Sequence, residues 1–104
     1  MSGKRRIDFD GINRVALGRV DVILARWLPD GRIEGTEYVA LNPKRRDHRR
    51  GSFKVNVRTG AWGDFAADAA GGDLISLAAY LGDLDQGQAA IRLAEMMGVD
   101  PHGC

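Results

Sequence analysis

The chain has 104 residues, 44% of them hydrophobic and 28% charged, with a formal net charge of +1. That length suits one domain whose core can stand without staples, and apolar runs of only a few residues leave nothing to span a membrane. The start, Met1 to Arg6, is basic but has no apolar segment behind it, so no secretory signal is expected and the cytoplasm is the expected address.

The first predicted element is a long helix over residues 7–28. Ile12, Ala16, Val20, Ile23 and Trp27 recur every three or four residues as one apolar stripe. Asp8 or Asp10 caps its start, and Pro29, Asp30 and Gly31 end it. Residues 36–42 then read as a short strand on the strength of Tyr38, Val39 and Leu41, closed by Pro43. Residues 44–50 hold no apolar side chain and form an exposed loop. Residues 52–58 alternate, with Phe53, Val55 and Val57 on one face and Lys54, Asn56 and Arg58 on the other, the pattern of a half-buried strand. A tight turn at Thr59 and Gly60 leads to a third strand over 61–65, placing Trp62 opposite Val57.

The last third is helical. Asp73 caps one helix ending at Gly82, and Asp85 with Gln88 makes a capping box for a second that stops at Gly98. The expected architecture is a single α+β domain over 1–104: an N-terminal helix, a three-stranded antiparallel meander and two C-terminal helices. Residues 1–6 are expected as a flexible basic arm and 99–104 as a flexible tail.

Charge is unevenly divided. Residues 1–58 carry 14 Lys and Arg against 7 Asp and Glu, or +7; residues 59–104 carry 1 against 7, or −6. This division predicts one face for a polyanion and another for a different contact. Lys44, Arg45, Arg46, Arg49 and Arg50 make the loop a phosphate-matched patch, which Lys54 and Arg58 extend along the polar strand face. Aromatic rings beside such a patch can stack on bases. Phe65 shares the face of Lys54 and Arg58 but is expected to pack beneath the following helix. Tyr38 is left open between core and contact, and Trp27, Phe53 and Trp62 are assigned to the core.

Catalytic and metal readings fare less well. Cys104, His48 and His102 lack the spacing of a zinc site. Asp64, Asp68 and Asp73 fall within ten residues and are a weak candidate set for Mg²⁺. The glycines before Asp73 lack the Lys-Ser/Thr of a phosphate-binding loop, and Asp73 puts a carboxylate where a phosphate would sit. No nucleophile–base set or paired-carboxylate site can be assembled, so the chain is expected to be no enzyme and to need no cofactor.

An ordered series of short motifs adds to this reading. Tyr38-Val39-Ala40-Leu41-Asn42-Pro43 is followed by Gly51-Ser52-Phe53-Lys54-Val55-Asn56-Val57, then Trp62-Gly63-Asp64-Phe65, then Gly71-Gly72-Asp73-Leu74-Ile75-Ser76-Leu77. Over residues 36–82 the series resembles the N-terminal Cys-His-Cys-Cys zinc-ribbon domain of bacterial-type primases. It more closely resembles the cysteine-free version found at the start of phage and plasmid primase/helicase proteins. The ligand positions of the zinc-binding relatives fall here at Asn42 and Arg45, and at about Asp64 and Ala67, so none of their cysteine or histidine ligands is present. The resemblance implies a zinc-ribbon-like meander held by apolar packing, with Trp62, Phe53 and the flanking helices supplying it.

The resemblance further implies a non-catalytic DNA-binding module of a mobile-element replication protein. It would serve a primase by holding template phosphates, on single-stranded rather than duplex DNA, with a primase/helicase or host replication protein as its protein partner. The alternative is a small phage or plasmid protein that acts by docking on a host or replication enzyme through its acidic half, including Asp83, Asp85 and Glu95.

Overall fold

In a computed structural model the chain is described over residues 6–44 and 52–102. The order of elements is α1 (Phe9–Leu17), α2 (Val20–Trp27), β1 (Arg32–Glu34), β2 (Glu37–Ala40), β3 (Phe53–Asn56), β4 (Trp62–Asp64), β5 (Ala69–Gly71), α3 (Leu74–Gly82) and α4 (Gln86–Met97). The strands form one antiparallel sheet in sequence order. The α+β class stands, with five strands in place of three and four helices in place of three. Among the described residues no helix is long and apolar enough to cross a membrane.

The expected first helix is two. It breaks at Gly18 and Arg19, where Arg19 leaves the helical region (φ −122, ψ 23). The Arg19 guanidinium donates to the Met97 carbonyl at 2.9 Å, so the break brings a cation to the C-terminal end of α4. Asp8 caps α1, accepting from the Gly11 amide at 3.0 Å. The apolar stripe survives the break: Ile12, Ala16 and Ile23 are buried, joined by Leu24 and Leu28.

The two unexpected strands have physical reasons for escaping notice. All three residues of β1 are exposed, so no burial alternation marks it. Its signal is the turn instead: Glu34 pairs with Glu37 across a two-residue loop whose first residue, Gly35, has φ +65. A positive φ at that position is where glycine is wanted in a tight hairpin. Strand β5 is Ala-Ala-Gly, too small and too short to carry a hydrophobic pattern.

The register of β3 on β4 also differs from expectation. Trp62 lies opposite Val55, not Val57. The cause is Asn56, whose side-chain carbonyl accepts from the amides of Arg58 (2.8 Å) and Thr59 (3.2 Å) and winds the chain into a longer turn. Gly60 closes that turn at φ +84, its amide donating to the Asn56 carbonyl at 2.8 Å. The slip is two residues, so Trp62 keeps the face it was assigned.

One face of the sheet meets the helices. Tyr38, Ala40, Phe53, Val55 and Trp62 belong to a single buried cluster with Ile12, Leu24, Leu77 and Leu93 from the helical layer. Phe53 and Trp62 stack with centroids 6.0 Å apart, and Tyr80 of α3 lies 4.9 Å from Trp62. The Trp62 indole N–H donates to Ser76 Oγ at 2.9 Å. Ser76 is also the return arm of the Asp73 capping box, so the sheet is tied to the start of α3. Asn13 of α1 completes that junction, donating to Asp73 Oδ2 (3.1 Å) and accepting from the Ile75 amide (3.1 Å).

Within residues 99–102, expected as part of a flexible tail, Pro101 and His102 meet the chain's start. The Asp8 amide donates to the Pro101 carbonyl at 2.8 Å, and the His102 ring lies 3.2 Å from the Arg6 carbonyl. The remaining arm and tail positions, 1–5 and 103–104, lie outside the described residues.

Candidate nucleic-acid interface

Strand alternation sends Lys54 and Asn56 of β3 to the face opposite the helices, with Gly63 of β4 and Ala70 of β5 beside them in register. Phe65, one step beyond β4, points the same way and is 83% exposed. These side chains, with Glu37 at the rim, line an open groove of about 360 Å³ across the outer sheet. The small residues at its floor keep it flat, which is the shape a planar ring needs.

The exposure of Phe65 corrects the expectation that it packs beneath a helix. After Phe65 the chain does not enter a helix but turns back as β5. Asp64 organises that return, accepting from the Ala66 amide on Oδ1 (3.0 Å) and from the Ala67 amide on its carbonyl (3.2 Å). Nothing from the helical layer therefore covers the ring. Tyr38, by contrast, resolves to the core: it is 7% exposed and its hydroxyl donates to the Leu28 carbonyl at 2.6 Å.

Of the seven expected phosphate contacts, Arg45, Arg46, Arg49 and Arg50 lie outside the described residues. The other three are placed differently from one another. Lys54 is on the groove, its Nζ 3.7 Å from Glu37. Arg58 is exposed on the β3–β4 turn that Asn56 builds. Lys44 turns the other way, toward α3: its ammonium lies 4.6 Å from the Tyr80 ring centroid and donates to the Tyr80 carbonyl (2.8 Å) and to Asp83. The geometry thus brings Lys54 together with Phe65 and separates Lys44 from them.

Where the basic segment re-enters the sheet, the Phe65 amide donates to the Ser52 carbonyl at 3.2 Å. The aromatic ring is therefore rooted beside the end of that segment. Sequence reasoning did place Phe65 on this face; only the missing β5 hid its exposure.

Four of the acidic candidates, Asp64, Asp73, Asp83 and Asp85, have structural roles. Asp73 caps α3 and Asp85 caps α4. Asp83 is the C-cap of α3 in a left-handed conformation and binds Lys44. Asp64 is 1% exposed and Asp68 sits on an exposed turn at φ +52, so with Asp73 they do not converge on one cation. Among the described residues no three His, Cys, Asp or Glu side chains gather as a metal set.

No family model and no curated protein matches the sequence. A solved structure does, at 26% identity and a TM-score of 0.72, over 91% of this chain. The likeness is to a bacterial primase. The structure is that of the Aquifex aeolicus primase, comprising zinc-binding and RNA polymerase domains, and this chain spans 22% of its length. The primase likeness extends across both helical ends as well as the sheet, since nearly all of this chain takes part in it. It gives the five-stranded meander and its helices a structural relative in a primase.

Proposed function

We propose that the chain is a nucleic-acid-binding module of replication type, without catalysis of its own, that holds single-stranded template for a primase of a mobile element. The observation that carries this reading is the outer sheet groove, where an 83% exposed phenylalanine stands beside Lys54 and Asn56 on a floor of small residues. A ring so exposed is free to stack, and an unpaired base supplies a matching apolar face.

The charges suit the backbone of the same strand. Among the described residues Lys54 pairs with Glu37 in an exposed ion pair, and such pairs are worth ~0–1 kcal/mol, so a phosphate can displace it. Arg58, exposed on the β3–β4 turn, adds a further cation, and Arg45, Arg46, Arg49 and Arg50 of the basic segment are assigned to the same backbone by their charge. Lys44 is better employed as an anchor on α3 than as a phosphate contact, because its three donors already meet Asp83, a helix-terminal carbonyl and an aromatic face. The similarity to a primase supports the choice of ligand.

The test is fluorescence anisotropy of labelled single-stranded and duplex DNA across a salt series. Phe65→Ala is expected to weaken single-strand binding by roughly 5- to 100-fold, the equivalent of one lost base stack. Replacing Arg45, Arg46, Arg49 and Arg50 together by Ala should flatten the slope of log K against log salt by about 3 for a single strand. Equal binding by wild type and both variants would remove the groove and these cations from consideration. Tight binding to duplex alone would reject the stacking role.

A further inference from the structure

The resemblance puts ligand positions at Asn42 and Arg45 on one side and at about Asp64 and Ala67 on the other, and the neighbouring primase structure includes a zinc-binding domain. The residues present do not fit zinc. A carboxamide, a guanidinium, one carboxylate and a methyl group cannot supply the thiolate and imidazole donors of a closed zinc site.

What occupies this end of the sheet is a hydrogen-bonded clasp. Asn42, just beyond β2, and Asp64, the last residue of β4, are each 1% exposed, and they are the buried polar side chains among the described residues. Asn42 Nδ2 donates to Asp64 Oδ2 at 2.6 Å and to the Tyr80 hydroxyl at 2.9 Å. Asn42 Oδ1 accepts from the Lys44 amide at 2.8 Å, and Asp64 Oδ1 from the Ala66 amide at 3.0 Å. The orientation of the amide is fixed by chemistry: an ionised carboxylate only accepts and a backbone N–H only donates, so a flipped Asn42 would lose both bonds.

We infer that Asn42, Asp64 and Tyr80 form a metal-independent clasp that closes the end of the sheet where the zinc-binding relatives place their ion. Three segments meet in it: the exit of β2, the turn between β4 and β5, and the last turn of α3. A cation is also disfavoured there by the clasp itself, because the Asn42 N–H₂ already points at the carboxylate oxygen a metal would need. The clasp fixes the chain at Asn42, one root of the basic segment. Through Asp64 it fixes the turn beside Phe65, whose amide meets the other root at Ser52. A buried carboxylate holds such a position only while its donors remain, since an ion left alone out of water is strongly disfavoured.

The experiment is thermal unfolding of the full chain with and without a zinc chelator, with metal content measured on the purified protein, beside Asn42→Ala, Asp64→Ala, the double variant and Tyr80→Phe. The expected result is no stoichiometric zinc and a Tm unmoved by chelator or added zinc. Asn42→Ala should lower Tm by roughly 10 °C, since it leaves a buried carboxylate short of a donor. The double variant should lose clearly less than the sum of the singles, and Tyr80→Phe only a few degrees. Should Asp64→Ala fail to fold, Tyr80→Phe and the chelator comparison still decide. A Tm that collapses on chelation, or zinc bound one to one, would overturn the inference. So would additive single losses, or a Tyr80→Phe and Asn42→Ala pair both indistinguishable from wild type.

Discussion

Tyr38 shows how one side chain joins packing to pH dependence. Its ring fills the core while its hydroxyl reaches the Leu28 carbonyl, tying β2 to the end of α2. Burial pushes the phenol's pKa above 10, with the charge of Asp30 adding to the rise and a hydrogen bond with the Gly31 backbone opposing it. A folded-state value above the unfolded one means that the protonated phenol's contribution is complete below about pH 10 and is lost as pH climbs through the raised value. Tyr38→Phe is therefore expected to cost about 1 kcal/mol at neutral pH by leaving the Leu28 carbonyl one donor short. It should also flatten the loss of stability above about pH 10. Urea unfolding of both proteins at neutral and alkaline pH checks the two halves together. An equally steep alkaline loss in the variant would assign that loss to another group.

At the scale of elements, the helix ends were the most legible part of the sequence and the weak strands the least. Asp73 and Asp85 were readable as caps because a carboxylate at the unsatisfied amides of a helix start has a local cause needing no tertiary information. The 52–58 alternation announced β3 for the same reason. Strands β1 and β5 carried no hydrophobic alternation: one is exposed throughout, with only its Gly35 turn as a signal, and the other has almost no side chain. At the break between α1 and α2, Arg19 meets the distant Met97 carbonyl, a contact that no window of sequence contains. Gly18 at that break has φ −68, open to any residue, and a Cβ there would meet the Val15 carbonyl at an ordinary 3.4 Å. Gly18→Ala is thus expected to raise stability by about 0.5–1 kcal/mol, through a less free unfolded chain and better helix propensity. A fall in Tm would mean that the break needs glycine's freedom in some state other than this one.

Across the whole molecule, the candidate site was half legible. Its charges were visible as a bias between residues 1–58 and 59–104, but which cations share a surface was not. Lys44 and Lys54 look alike in sequence, yet Lys44 reaches α3 while Lys54 borders the groove. The difference follows from Asn42, whose bond to the Lys44 amide directs the chain toward Tyr80. The same long-range closure operates at the chain's ends. Val99, half-buried, donates its amide to the Ala94 carbonyl at 2.9 Å, and Pro101 receives the Asp8 amide beside the α1 cap. The Asp8–Pro101 bond joins the start of the first helix to the segment after the last, and neither residue lines the proposed groove. Ending the chain after Gly98 is therefore expected to cost about 1–3 kcal/mol, from one lost interhelical hydrogen bond and the burial of Val99. Affinity for single-stranded DNA should be unchanged at a temperature where the shortened chain stays folded. Chemical unfolding and anisotropy on the same preparation separate the two effects. If affinity falls with stability, the groove and the terminal junction are one cooperative unit rather than two.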